Sequence, residues 1–213
     1  MRLGLALFFA CASALAQVPQ DLAFREGSLA SFLGRRPIVL VLGYEGCVNL
    51  CGTTLASASQ ALRAAGLAAD RDYTALFVSI DPRDERAPPM KRDGWHFLTG
   101  AAAAAALARA VGFQYQYEKQ SGEFSHPAGF FVLTPQGTVA RSFDGVVFDP
   151  QELRTSLARA ATGETQSGFQ RLWLRCFHDP VSGRYTPVVL MALRIAMGAF
   201  LILLGFVAWR KLA

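Results

Sequence analysis

Two cysteines, Cys47 and Cys51, lie four positions apart in the segment GYEGCVNLCGTTL (residues 43–55) of a 213-residue chain. Paired thiols can form a disulfide, hold a soft metal ion, or be inert and buried. On a helix, residues four apart have Cβ atoms roughly 5–6 Å apart, whereas a disulfide needs roughly 3.5–4.5 Å. If both cysteines lie on one helical turn, the spacing favours a metal bound by two thiolates, with Cu(I) preferred and Zn²⁺ as an alternative.

The elements around this pair alternate between strands and helices. Apolar runs bounded by turn residues predict strands, and apolar residues at helical spacing predict helices. A cysteine pair where the first strand meets the first helix predicts an α/β, thioredoxin-like fold. The predicted strands are residues 37–43, 73–80, 95–98, 129–134 and 138–143, and the predicted helices are residues 47–65, 101–111 and 150–161.

The N-terminal residues 1–16 have the anatomy of a secretory signal peptide. Arg2 precedes an apolar run that ends in Ala-Leu-Ala, and Gln17 is the expected first residue after cleavage. Lipid attachment through Cys11 is the weaker alternative because bulky residues precede that cysteine. We therefore expect the central part of the chain to be exported.

The C-terminal residues 188–209 are apolar and long enough to cross a bilayer, which needs roughly 20 residues. Arg194 interrupts this run near its start, where an arginine side chain can reach the interface. The following Arg210 and Lys211 match the positive-inside rule. The predicted organisation is a signal peptide (1–16), a thioredoxin-like copper-binding domain (17–165), a juxtamembrane linker (166–187), a transmembrane helix (188–209) and a cytoplasmic tail (210–213). This topology predicts an inner-membrane, single-pass protein whose domain faces the periplasm.

The formal net charge of +5 is spread over many arginines without a basic run. No recognition motif for nucleic acid accompanies it. We therefore expect a membrane partner but no nucleic-acid partner.

Three histidines could complete a copper site. His96 lies between an aromatic pair and is interpreted as a packed structural residue, and His178 lies beside the predicted membrane helix. His126 directly precedes a predicted central strand. In a thioredoxin-like fold the loop before that strand faces the start of the first helix, so His126 is the candidate third ligand.

The combination of motifs resembles the Sco/SenC family of membrane-anchored, thioredoxin-fold copper proteins. The resemblance rests on Cys-x-x-x-Cys (47–51), VSIDP (78–82), WHFLTG (95–100) and the late His126. It implies that Cys47, Cys51 and His126 bind copper, Cu(I) or Cu(II). This chain has Val48 and Gly52 where many members have proline, and its predicted anchor is C-terminal, as in a bacterial branch of the family.

The resemblance also implies a function. Such proteins deliver copper to, or reduce the copper-site cysteines of, cytochrome c oxidase subunit II, so that subunit or a related cupro-oxidase is the expected client. Another periplasmic copper chaperone is a further candidate partner. The protein would then be a metallochaperone rather than an enzyme. The alternative is a general thiol-disulfide oxidoreductase in which Cys47 and Cys51 are catalytic.

A second, weaker metal motif is Cys-x-His at Cys176 and His178. Two ligands on one short segment rarely hold a metal alone. We interpret Cys176 as a juxtamembrane thiol that is not part of the copper site.

Overall fold

A computed structural model describes residues 17–46, 51–86 and 93–165, together with 191, 194–198, 200 and 210. The contacts within the chain divide it into two units, Met1–Gln166 and Ser167–Ala213. In the first unit a mixed sheet carries helices on both faces. In the second unit the described residues are helical.

The described elements of the first unit are nine strands and three α-helices, with two short 3-10 helices, Leu29–Phe32 and Pro82–Arg86. The strands are β1 (Ala23–Phe24), β2 (Gly27–Ser28), β3 (Ile38–Gly43), β4 (Thr74–Ser79), β5 (Trp95–Leu98), β6 (Gln116–Glu118), β7 (Glu123–Ser125), β8 (Gly129–Leu133) and β9 (Val139–Asp144). The helices are α1 (Cys51–Ala64), α2 (Ala101–Val111) and α3 (Pro150–Ala161).

The central sheet has five strands in the order β5-β4-β3-β8-β9. Strands β3, β4 and β5 are parallel, whereas β8 runs antiparallel to β3 and β9 antiparallel to β8. The carboxyl end of β3 therefore lies at the same edge of the sheet as the start of β8. This topology brings the chain before Cys47 and the chain after His126 to one edge.

The core explains why β3 and β4 are continuous apolar runs. Both strands are buried at every position because helices cover both faces of the sheet. On one face, Leu40 and Leu76 pack with Leu107 of α2. On the other face, apolar residues of α1 and α3 pack against the sheet in a separate cluster. This is the predicted α/β, thioredoxin-like arrangement.

Helices α2 and α3 begin and end at the predicted residues, and all five predicted strands lie within one residue of their predicted bounds. Helix α1 ends at Ala64, one residue before the predicted end. Its predicted start at Cys47 lies outside the described residues, so the expected helical geometry of the cysteine pair stays a prediction. The structure adds the small hairpins β1–β2 and β6–β7, which were not predicted as paired strands.

Within the described part of the chain, no helix has the length and apolar character required to cross a membrane. Most of the predicted transmembrane helix (188–209), like the predicted signal peptide (1–16), lies outside the described residues.

Candidate metal and thiol site

The structure describes the chain up to Gly46 and again from the backbone of Cys51, so it describes the predicted cysteine pair only in part. Strand β3 ends at Gly43, and the described chain continues to Gly46. Cys47 lies outside the described residues, as does the side chain of Cys51, whose backbone begins α1. The first turn of α1 carries no acidic side chain.

His126 lies in the short loop between β7 and β8, and its side chain is half-buried. Its Nδ1 lies 2.9 Å from the carbonyl oxygen of Pro127. A carbonyl can only accept a hydrogen bond, so Nδ1 carries a proton in this contact. In a neutral imidazole with its proton on Nδ1, Nε2 carries the lone pair that can coordinate a metal.

An aromatic cluster surrounds His126 and joins it to the strand that leads to the cysteines. The imidazole ring lies 6.0 Å from the Tyr44 ring, edge to face, and 5.6 Å from the Phe113 ring. Tyr44 follows β3 directly, is only 3% exposed, and its hydroxyl accepts a hydrogen bond from the Phe124 backbone N–H at 3.4 Å. Tyr44 therefore fixes the His126 loop against the chain just before Cys47. The sequence analysis did not identify this role, although Tyr44 stands three residues from the first cysteine.

The backbone next to His126 is also tightly packed. Gly129 begins β8 with φ +144°, a conformation that side-chain-bearing residues rarely adopt. A Cβ atom at this position would collide with the carbonyl oxygen of Phe143 in β9. The absence of a side chain thus lets β8 and β9 approach closely where the loop carrying His126 enters the sheet.

The charged segment after β4 supports the loops at this edge. Asp81 is 4% exposed, and its carboxylate pairs with the Arg83 guanidinium at 2.7 Å. The hydrogen bond to Asp81 and the charge of Asp81 raise the pKa of Arg83. The same guanidinium donates to the carbonyl of Gly122 in the β6–β7 turn at 3.2 Å. Arg83 therefore ties the hairpin before His126 to the end of β4.

His96 has a separate role, close to the one predicted. Its ring lies 5.1 Å from the ring of Phe32, and Nε2 lies 3.3 Å from a carboxylate oxygen of Asp70. Asp70 precedes β4, so this contact lies toward the start of the parallel strands rather than at their carboxyl ends. His96 is therefore a structural residue, though a partly exposed one.

Among the residues that the structure describes, no three histidine, cysteine or acidic side chains are grouped as a metal site. The predicted set of Cys47, Cys51 and His126 depends on two thiols outside that part of the chain, so it stays a prediction. Cys176 and His178 also lie outside the described residues.

Comparison with protein families gives one match. A family model described as SCO1/SenC matches residues 25–162, which is most of the chain. The match contains all three predicted ligands and ends one residue after α3. A search among curated proteins finds no match.

Several solved structures share the fold. An electron-transfer candidate from Aquifex aeolicus VF5 matches with a TM-score of 0.59 and 22% identity, covering 72% of this chain and 97% of that one. Copper-bound ScoI from Arabidopsis thaliana has a TM-score of 0.54 and 18% identity, with 70% and 99% covered. Copper-bound ScoI from Bradyrhizobium japonicum has a TM-score of 0.52 and 25% identity, with 68% and 98% covered.

Proposed function

This chain belongs to the SCO1/SenC family, and from that premise we propose that it binds copper through Cys47, Cys51 and His126. It would deliver that copper to cytochrome c oxidase, or reduce the copper-site cysteines of the oxidase, during assembly. The copper-bound state of two similar structures, from Arabidopsis thaliana and Bradyrhizobium japonicum, supports copper as the metal.

The observation that carries the proposal is the contact between His126 and Tyr44, whose ring centroids are 6.0 Å apart. Tyr44 immediately follows β3, and Cys47 comes three residues later. The loop of His126 is thus fastened to the chain that leads into the cysteines. This contact supports a site to which both loops contribute.

The residues fit copper by their chemistry. Two thiolates are soft donors that suit Cu(I), and an added imidazole nitrogen suits Cu(II). The hydrogen bond of His126 Nδ1 to a backbone carbonyl is the kind of outer contact that orients a histidine ligand. The aromatic rings of Tyr44 and Phe113 limit the motion of that imidazole. Bound copper would be the cargo, and these residues would hold and release it.

We also propose that the domain of residues 17–165 is exported and anchored in the inner membrane, facing the periplasm. The signal peptide (1–16), linker (166–187), transmembrane helix (188–209) and cytoplasmic tail (210–213) keep their predicted bounds. The length and apolar character of residues 188–209 support the anchor, since a bilayer span needs roughly 20 apolar residues.

The test is a transfer experiment with the copper-binding domain of an oxidase subunit II. Copper-loaded full-length protein is mixed with that domain in its reduced, copper-free form, and copper in each protein is measured after separation. We expect copper to move to the subunit II domain. A Cys47→Ser/Cys51→Ser variant treated identically is the control and should transfer none. Equal transfer from this variant would refute the proposed site.

A thiol-disulfide oxidoreductase is the second candidate function. It rests on the two cysteines four positions apart between the end of β3 and the first turn of α1, because paired thiols can cycle between a dithiol and a disulfide. Here the metal-free, reduced protein would reduce an oxidised subunit II domain, forming a Cys47–Cys51 disulfide as two electrons and two protons pass to the substrate. Mass spectrometry of both proteins after mixing distinguishes this outcome from copper transfer.

A further inference from the structure

In the part of the first unit that the structure describes, two large apolar side chains are exposed. They are Tyr117, which is 46% exposed, and Val147, which is 89% exposed. A single exposed apolar side chain is ordinary on a protein surface. These two stand out because each lies on a segment that is joined to the loop of His126.

Tyr117 lies beside the chain that enters this loop. In the β6–β7 hairpin it stands opposite Phe124, two residues before His126, and the two rings are 5.1 Å apart. The Phe124 ring also contacts the rings of Tyr44 and Tyr115, at 5.5 Å and 5.8 Å. Phe124 is therefore held by other rings of the domain, whereas Tyr117 packs against it and still leaves nearly half of its own surface in solvent.

Val147 lies beside the chain that leaves the same loop. The Gly145 backbone N–H donates at 2.9 Å to the carbonyl of Ala128, which stands two residues after His126. On the other side of Val147, Phe148 is 9% exposed and belongs to the core cluster under α1 and α3. The segment is thus fixed on both sides of Val147, while the valine itself remains in solvent and adds little to the core.

The charges around these two residues are mainly acidic. Glu118 and Glu123 stand directly opposite each other in the β6–β7 hairpin, and like charges in that arrangement destabilise a strand pair. Neither carboxylate has an ion-pair partner among the described residues. Asp144, at the end of β9, is exposed as well. Lys119 is the one cation in the hairpin sequence, and Arg83, which reaches the hairpin turn, already has a carboxylate partner. This face is therefore acidic, although the whole chain has a formal net charge of +5.

We propose that Tyr117 and Val147 form the docking surface for the copper acceptor, and that the acceptor presents apolar residues flanked by lysine or arginine. The inference rests on the proposed function, because it takes His126 as a ligand of the copper that is handed over. A metal ion passes between two proteins by exchange of ligands, so the acceptor must contact the surface beside a ligand of the donor.

The composition of the docking surface fits a protein partner. An apolar centre with a polar rim is the usual arrangement of a protein interface, and opposite charges on the two partners speed their encounter. A lysine or arginine of the acceptor placed near Glu118 and Glu123 would also relieve the repulsion between these two carboxylates.

The experiment measures copper transfer from the full-length protein to the reduced, copper-free subunit II domain at increasing concentrations of that domain. The concentration that gives half of the maximal rate reports docking, and copper affinity is measured separately by competition with a chelator. We expect Tyr117→Ser/Val147→Ser to raise the half-saturating concentration by about tenfold, the order of loss on truncating an important interface residue. Copper affinity and melting temperature should stay at the wild-type values, because both side chains are exposed and neither is a predicted ligand.

Tyr117→Phe/Val147→Ile is the matched control for the apolar contacts. It keeps the size and apolar character of both side chains, so its half-saturating concentration should equal that of the wild type.

Glu118→Gln/Glu123→Gln tests the charges. We expect it to slow transfer at low salt and to weaken the dependence of the rate on ionic strength. Asp93→Asn/Glu164→Gln is its control, because it removes the same number of charges from exposed positions, one just before β5 and one just after α3. Neither position adjoins the loop of His126, and this control should keep the salt dependence of the wild type.

An unchanged half-saturating concentration in Tyr117→Ser/Val147→Ser would overturn the inference while copper delivery stands. A loss of copper affinity in that variant would also overturn it, because the two residues would then support the metal site. A salt dependence that Glu118→Gln/Glu123→Gln leaves unchanged, or that both charge variants weaken equally, would rule out a basic partner for this face. A wild-type protein that transfers no copper would remove the proposed delivery and, with it, this inference.

Discussion

At the scale of single residues, His126 is the predicted ligand about which the structure says most. Its position in the loop before β8 was expected from the sequence, but the contacts that orient it were not. Tyr44 and Phe113 lie far from His126 in sequence, and only the tertiary fold brings their rings within 6.0 Å and 5.6 Å of the imidazole. The contact of Nδ1 with Pro127 places a proton on that nitrogen, which sequence alone does not determine.

Replacing His126 with alanine should weaken Cu(II) binding more than Cu(I) binding. Cu(I) is satisfied by two thiolates, whereas Cu(II) gains from an imidazole nitrogen. Mutation of a residue that only contacts a metal ligand typically costs roughly 10–100-fold in metal affinity. Loss of the ligand itself should raise the Cu(II) dissociation constant by at least that factor. Competition titrations with a chelator for each oxidation state measure both constants. Equal losses for the two ions would contradict the assigned role, and a lowered melting temperature would identify a folding defect.

At the scale of elements, local signals explain why some boundaries were predictable. Helix α2 is rich in alanine and ends at Gly112, which adopts the left-handed conformation at φ 79°. Helix α3 has Pro150 in its first turn, after Asp149, whose side chain accepts the Gln151 N–H. The paired strands of β1–β2 have only two residues each, too short for a periodic pattern.

Gly129→Ala tests how closely β8 and β9 must approach beside His126. The new Cβ would meet the Phe143 carbonyl, so we expect a loss of more than about 3 kcal/mol in the free energy of unfolding. Gly145→Ala is the control, because Gly145 also has a positive φ, +90°, but open space around its Cβ position. It should cost about 1 kcal/mol, the strain alone. Similar values for both variants in urea denaturation would mean that the contact with Phe143 does not matter.

Asp72 should make stability depend on pH. The hydrogen bond from Arg71 and the one from the Ala68 N–H hold the pKa of Asp72 below its ordinary value of 3.8. A lowered folded-state pKa stabilises the protein above the unfolded-state pKa, and this stabilisation is lost as the pH falls through the folded-state pKa. Asp72→Asn should therefore be slightly less stable than wild type at pH 7, and the difference should shrink as the pH falls below 3.8. A melting-temperature difference that stays constant from pH 7 to pH 3 would contradict this assignment.

At the scale of the whole molecule, the sequence predicted the layers of the domain but not the links between its loops. Continuous apolar runs and helical periodicity are local, and they give the sheet and its covering helices. The hydrogen bond from the Glu45 N–H to the Asp84 carboxylate spans 39 positions, and the bond from Arg83 to Gly122 spans the same number. Such contacts between polar residues leave no periodic pattern in the sequence. The hydrogen bonds that hold the loops around the candidate site were therefore not predictable.

The predicted membrane anchor can be tested by truncation. A protein that ends before Val188 lacks the whole apolar run and should be recovered in the soluble periplasmic fraction with its copper-binding capacity intact. The full-length protein should stay in the membrane fraction after a carbonate wash. A truncated protein that remains in the membrane would show that an uncleaved signal segment, or a lipid on Cys11, provides the anchor instead.

The most direct test of the account is a copper titration of the reduced full-length protein, followed by absorption spectroscopy of the Cu(II) form. We predict one copper per chain and an intense sulfur-to-copper charge-transfer band. Both should persist in Cys176→Ser, and both should disappear in Cys47→Ser/Cys51→Ser. A double variant that binds one copper as tightly as the wild type, or a second equivalent that vanishes in Cys176→Ser, would contradict the account.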